Sequence, residues 1–355
     1  MKKSVLFFIL ISSLSFSQKN LKISDLQPKT ENFTFPVISY IENPLVENKI
    51  NTFLQVNELE YVPDSGKTPF KFVSTDTNSY SHYIYFYDWE KLDAPKNILT
   101  IGMHGEASGA YSEEFTNWKN FDLRNGNFIN AEDLFQPASK KMVEEIIQKK
   151  IKKRISDFLT KLKSEKNPPE EAEDQIALYE DCFIEHTLED IGYFFGKDKL
   201  TFVSGRCSSH AMRALDELGS HEITFTYKEL EKYWSPYAEN LLSGSEKTDK
   251  TSLNNKLYQG KIDGKYPITV LISQIYTDGS FYAKYWYHKN KILIEWGGKI
   301  KDNHMSMIED DYYSEELKEW IPRALVEAEV KGNKIIGTWQ DYKTKKYLSI
   351  ELEEL

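Results

Sequence analysis

Residues 257–297 read LYQGKIDGKYPITVLISQIYTDGSFYAKYWYHKNKILIEWG. Short runs of β-branched and aromatic residues alternate with Asp263-Gly264, Asp278-Gly279 and Lys289-Asn290. Such punctuation marks tight turns between antiparallel strands. The pattern predicts strands at 257–261, 266–276, 280–288 and 291–297. It continues through 304–309, 325–330, 334–339 and 346–353, with Gly332-Asn333 as a further turn. That spacing implies a small antiparallel sheet, curled or closed into a barrel, over 255–355. Its aromatics Tyr282, Tyr285, Trp286, Tyr287, Trp296 and Trp339 suit cross-strand core pairs or a ligand-lining face, and both readings stand.

Upstream, the polar stretch 243–254 has Leu253 as its one large apolar residue and reads as a linker. Before it, helical and strand patterns mix. Val143, Ile146, Ile147, Ile151, Ile155, Phe158, Leu159 and Leu162 repeat at helical spacing over 139–162, with lysines on the opposite face. Pro168-Pro169 ends that helix, and 170–185 reads as a second, acidic one. A shorter helix is expected over 44–57 behind Pro44, and another over 227–242, interrupted near Pro236. Strands are expected at 33–41, 70–75, 79–87, 97–103, 115–123, 190–204 (two) and 221–227, with a glycine-containing loop over 104–113. The class is therefore α+β: antiparallel sheet packed with helices over 31–242, followed by the β-domain.

The first seventeen residues have the order of a secretory signal. Lys2 and Lys3 precede the apolar run Val5 to Ile11, and Ser15 and Ser17 occupy small-residue positions before Gln18. Residues 18–30 then form an N-terminal arm. No later segment approaches the roughly 20 apolar residues that span a bilayer. The expected address is periplasmic or secreted, without a membrane span after signal removal. Net charge is −10, and loss of Lys2 and Lys3 makes it about −12. Such a surface repels nucleic acid and attracts basic partners.

Cys182 and Cys207 are the two cysteines. An even count in an oxidising compartment favours one disulfide. Two other readings remain open. Cys182 with His186, and Cys207 with His210, have spacings that admit a zinc site or a Cys–His nucleophile. His104-Gly105-Glu106 matches half of a zinc-deaminase signature, but the P-C-x-x-C half is absent. His82 is a conceivable companion of His104. Gly66-Lys67-Thr68 lacks the earlier glycine of a phosphate loop, where Tyr61 stands, so it reads as a turn. No catalytic residue, metal or cofactor is assigned; His104, Glu106, His186 and His210 are the site candidates.

One stretch resembles a known family. Asn120-Phe121-Asp122-Leu123, Asn125-Gly126-Asn127-Phe128-Ile129 and Glu132-Asp133-Leu134-Phe135 are similar to a segment of domain-of-unknown-function family 3298. That family includes the C-terminal domain of the lysozyme-binding anti-sigma factor RsiV. His104-Gly105 resembles its upstream loop, although Met103 replaces a glycine, and Arg206 to Ala211 departs from its pattern. Pro36-Val37-Ile38 with Asn48-Lys49-Ile50-Asn51 resembles the companion domain (family 4163) that often precedes it. Residues 255–355, with Tyr258, Gly260-Lys261-Ile262 and Tyr266-Pro267-Ile268, look like a small β-domain of exported Bacteroidetes proteins. The resemblance implies a companion-like part at 31–119 and a 3298-like part at 120–242. It implies an exported binding module that recognises a basic protein such as lysozyme, or a peptidoglycan fragment. An envelope hydrolase with a site near His104, Glu106, Cys207 and His210, and a structural envelope protein, are the alternatives.

Overall fold

The computed structural model describes residues 20–70, 83–108, 112–244, 250, 252–315 and 318–355. The expected signal sequence, residues 71–75 of the strand expected at 70–75, the start of the one expected at 79–87, His82 and residues 245–249 and 251 of the linker lie outside them.

The N-terminal arm carries a strand that its sequence did not announce. β1 (Leu21–Asp25) pairs antiparallel with β2 (Pro36–Tyr40). Pro36 opens β2 at the sheet margin, where its missing N–H costs nothing. Helix α1 (Pro44–Leu59) follows. Asn43 accepts from the Val46 amide, Pro44 occupies the first turn, and Glu60 ends the helix in the left-handed region. Its buried Val46, Ile50, Phe53 and Leu54 pack on a meander of β3 (Tyr83–Leu92), β4 (Ile98–Ser108) and β5 (Ser112–Asp122).

β4 corrects the expected loop at 104–113. The strand runs on through His104, Gly105 and Glu106 to Ser108, paired with β5. A side chain at Gly105 would meet the Phe115 ring, with its Cβ 2.2 Å from that ring. The glycine makes room for a neighbour and does not break the strand. β5 also runs through the 119/120 division suggested by the resemblance.

The next layer is α2 (Lys140–Ser164), α3 (Ala172–Glu180) and the sheet β6 (Gly192–Phe195), β7 (Lys199–Ser204), β8 (His221–Thr226). Val143, Ile147, Ile151 and Ile155 of α2 are buried with Phe195, Leu200, Phe202 and Phe225 of the sheet. Full burial of such a side chain contributes roughly 1.5–3 kcal/mol. β8 leads into α4 (Tyr227–Leu230) through a capping box between Thr226 and Glu229. α5 (Pro236–Ser243) is capped by Ser235 and ends at Gly244 with φ +74. α3 is shorter than expected. It stops at Glu180, so Cys182 and His186 are not on one helix.

The described part of the expected linker is docked on the protein. Lys250 and Asn254 are buried. Asn254 donates to Glu132 (2.7 Å) and accepts from the Ile275 amide (2.9 Å), and the Lys250 ammonium donates to the Asn254 carbonyl. Burial raises the Glu132 carboxyl and pushes Lys250 down to about 8.

β9 (Lys256–Ile262), β10 (Tyr266–Ile275), β11 (Ser280–Tyr287), β12 (Ile294–Lys301), β13 (His304–Ser314), β14 (Glu319–Lys331), β15 (Lys334–Asp341) and β16 (Tyr347–Glu354) form a closed barrel, antiparallel throughout. β9 completes it by pairing with both β10 and β16. Tyr258, Val270, Tyr285, Trp296, Met307, Val326 and Ile350 fill the lumen. Two glycines let the backbones approach. A Cβ at Gly260 would stand 1.8 Å from the Glu351 carbonyl oxygen, and one at Gly337 would stand 2.0 Å from that of Glu327. On the outer wall, Leu257, Leu271 and Trp286 join the α1 core, so barrel and α+β part share apolar contacts.

Candidate functional site

The two cysteines meet because the segment after α3 and the segment after β7 converge beside α2. Cys182 and Cys207 are joined at an S–S distance of 2.04 Å. Neither sulfur is a thiolate, so the bonded protein holds no zinc thiolate ligand and no cysteine nucleophile there. Among the described residues, no group of three or more His, Cys, Asp and Glu side chains is placed to hold a metal ion.

The bond sits in a polar cluster that the sequence did not reveal. His221 opens β8 and is fully buried. Its Nδ1 lies 3.3 Å from Arg154 Nη1, and its Nε2 lies 3.7 Å from Cys207 Sγ. Arginine can only donate, so Nδ1 accepts and the neutral ring carries its proton on Nε2, facing the sulfur. Burial, reinforced by the Arg154 charge, pushes the imidazole down to about 4. Asp216 accepts from Tyr179 Oη (2.7 Å), Ser208 Oγ (2.7 Å) and the Gly219 amide (3.0 Å). Its partial burial opposes ionisation, but these bonds together hold the carboxyl below its usual range. The result fixes the loop that carries Cys207.

The four site candidates are tied into separate contacts. His104 has both ring nitrogens engaged, Nδ1 with Thr116 Oγ1 at 3.0 Å and Nε2 with Glu90 Oε1 at 3.2 Å. Glu106 is half-buried and accepts from Ser112 at 2.5 Å; this bond, with Tyr85 beside it, lowers its carboxyl. His210 faces Glu113 at 3.9 Å, and Arg213 binds the same carboxylate. Glu106 lies opposite Glu114, and Glu113 lies opposite Ala107, so Glu106 and Glu113 project from opposite faces of the β4–β5 hairpin. His186 reaches Asp190 at 3.6 Å, with Nε2 buried and without a hydrogen-bond partner among the described residues. The arrangement brings no nucleophile, base and orienting group together.

A different feature is exposed apolar surface on the barrel. Cross-strand register links Tyr282 to Gly297, Gly297 to Ile308, Ile308 to Leu325, Leu325 to Gln340 and Gln340 to Tyr347. Tyr282, Ile308 and Tyr347 are 61, 51 and 64 % exposed. Glu295, Glu327, Glu351 and Glu353 share these outward strand faces, with Lys261 and Lys299 at the margins.

No described helix is long and apolar enough to cross a membrane. No family model matches the chain, and neither does any curated protein. Among solved structures, the crystal structure of a member of the DUF3298 family from Bacteroides fragilis is similar to it. The match covers 63% of this chain and 94% of that chain, at 17% identity and a TM-score of 0.38. That likeness assigns no ligand, partner or activity here.

Proposed function

We propose that this protein is an exported, non-enzymatic binding module of the cell envelope, periplasmic or secreted, whose partner is a basic protein of the lysozyme kind. The outward band of Tyr282, Ile308 and Tyr347, set among glutamates, carries this reading. Exposed apolar side chains set among charged ones along a strand face are a feature of surfaces at which protein partners dock. The chain's net charge of −10 would steer a basic partner towards it. The disulfide fits an oxidising compartment. The sequence resemblance to family 3298 over 120–242, with a companion-like 31–119 and an exported-type β-domain, supports the same reading.

The test is a pull-down with purified lysozyme at low and physiological salt. Retention is expected at both, weaker at the higher salt. Replacing Ile308 and Tyr347 together by Asp should weaken binding by about tenfold or more, which is about 1.4 kcal/mol. No retention at either salt ends the lysozyme reading, and retention by a peptidoglycan fragment instead would redirect it to a cell-wall ligand.

A further inference from the structure

The barrel has two ends. One carries the β9–β10 turn, the β11–β12 loop, the β13–β14 hairpin and the β15–β16 turn. This end opens as a bowl of about 590 Å³. Tyr266, Tyr287, Trp339 and Leu348 form its apolar wall, and Lys265, Lys289 and Lys346 stand around it. Among the described residues Asp341 is the one acid in the lining, and its carboxylate is engaged by the Thr344 amide (2.6 Å) and hydroxyl (2.7 Å). Lys265 is paired with Asp263 at 3.1 Å, which leaves Lys289 and Lys346 facing Asp341, a locally basic rim on a chain whose net charge is −10.

The wall is held in place from below. Trp339 Nε1 donates to Glu309 Oε2 at 2.7 Å, and Tyr285 Oη donates to the same oxygen at 2.8 Å. Tyr287 packs edge-on against Tyr285, with ring centroids 5.7 Å apart. Glu309 is buried, so this chain of bonds forms a rigid floor. At the same end the β13–β14 hairpin runs beyond its pairing with β12. It carries Tyr313 and Trp320, 5.8 Å apart, on the strand faces that line the lumen at Glu309 and Ala324. Trp320 is 66 % exposed.

An eight-strand barrel is just wide enough to be filled by side chains or to hold one small ligand at its mouth. A bowl of this size, mostly apolar with a few convergent charges, has the make-up of a small-molecule site. We propose that the open end of the barrel binds one small molecule with an aromatic or aliphatic body and a single anionic group. The body lies on Trp339, Tyr287, Tyr266 and Leu348, and the anion is met by Lys289 and Lys346. This site faces the barrel end, whereas the band proposed for a protein partner faces outward; the two adjoin at Tyr347, which stands between Lys346 and Leu348.

The experiment uses the intact protein and two probes of the same shape, anilinonaphthalene sulfonate and neutral phenylnaphthylamine, followed by fluorescence and calorimetry. One sulfonate per chain is expected, weakened by added salt. Lys289→Ala with Lys346→Ala should weaken the sulfonate about tenfold and leave the neutral probe unchanged. Tyr266→Ser should weaken both about threefold. Circular dichroism confirms that the variants fold. Absence of sulfonate binding, a stoichiometry other than one, or equal affinity in the lysine variant overturns the site. Lysozyme retention by the lysine variant is expected to be unchanged, which separates this test from that of the outward band.

Discussion

The sheet β6–β8 and the barrel β9–β16 are both antiparallel, yet they treat their edges differently. In the sheet, β6 and β8 are edge strands. β6 is met by Asn120, which donates to the Tyr193 carbonyl at 3.0 Å, and α2 covers the face with its aliphatic stripe. A disulfide then ties the loop after β7 to the end of α3. The barrel has no edge and no covalent tie. Its order comes from a backbone ladder that closes on itself and from aromatic filling. One region is stabilised by cover and a staple, the other by closure. The first spreads its stability over many side chains, and the second concentrates it at the few positions where strands must come close.

The largest effect is therefore expected at the closure. Gly260→Val drives a side chain into the Glu351 carbonyl at the β9–β16 seam, so unfolding in urea should show a loss of about 3 kcal/mol. Hydrogen exchange in β6–β8 should change far less than in β9–β16. Equal loss of protection in both would erase the contrast. Replacing Cys182 and Cys207 by Ala should cost about 2–4 kcal/mol, read as a lower urea midpoint, with the largest loss of protection in α3 and β8. If the barrel amides respond most, the staple belongs to the whole molecule.

The smallest effect is a pH dependence. His221 titrates near 4 in the folded protein and near 6.5 when unfolded. Above 6.5 both states are neutral at this site. As pH falls from 6.5 towards 4 the unfolded chain takes up the proton first, so stability is lost across that window, by at most about 1.4 kcal/mol for each pH unit. His221→Phe should remove that part of the slope in denaturation curves taken between pH 7 and 4. An unchanged slope would show that carboxylates alone govern it.

All eight barrel strands were legible in sequence, because Asp-Gly turns and alternating residues are local signals. The α2 stripe was legible for the same reason: Val143, Ile147, Ile151 and Ile155 recur every fourth residue. Where the reading failed, the deciding partner was distant in sequence. Gly105 has the local signature of a loop residue, and only the Phe115 ring over it explains a glycine inside a strand. β1 alternates between half-buried and exposed positions and is defined by its pairing with β2. Lys250 and Asn254 read as linker because their partners, Asp133 and Glu132, lie far upstream. The cysteine pairing follows from an even count in a chain whose first residues read as an export signal. The place of His221 does not, since its contacts are Arg154, 67 residues away, and Cys207, 14 residues away. A lone histidine at a strand start announces neither.

The pairing of β9 with β16 also sets an order of events during synthesis. β9 leaves the ribosome well before the strand that will cover its free side. Until Tyr347–Glu354 has emerged, the growing chain presents an unpaired strand rich in apolar groups, a template for pairing with other chains. A chain that stalls within β15 is thus expected to be more prone to aggregation than one that stalls in the segment before β9. Escorting chaperones would be needed most during that interval.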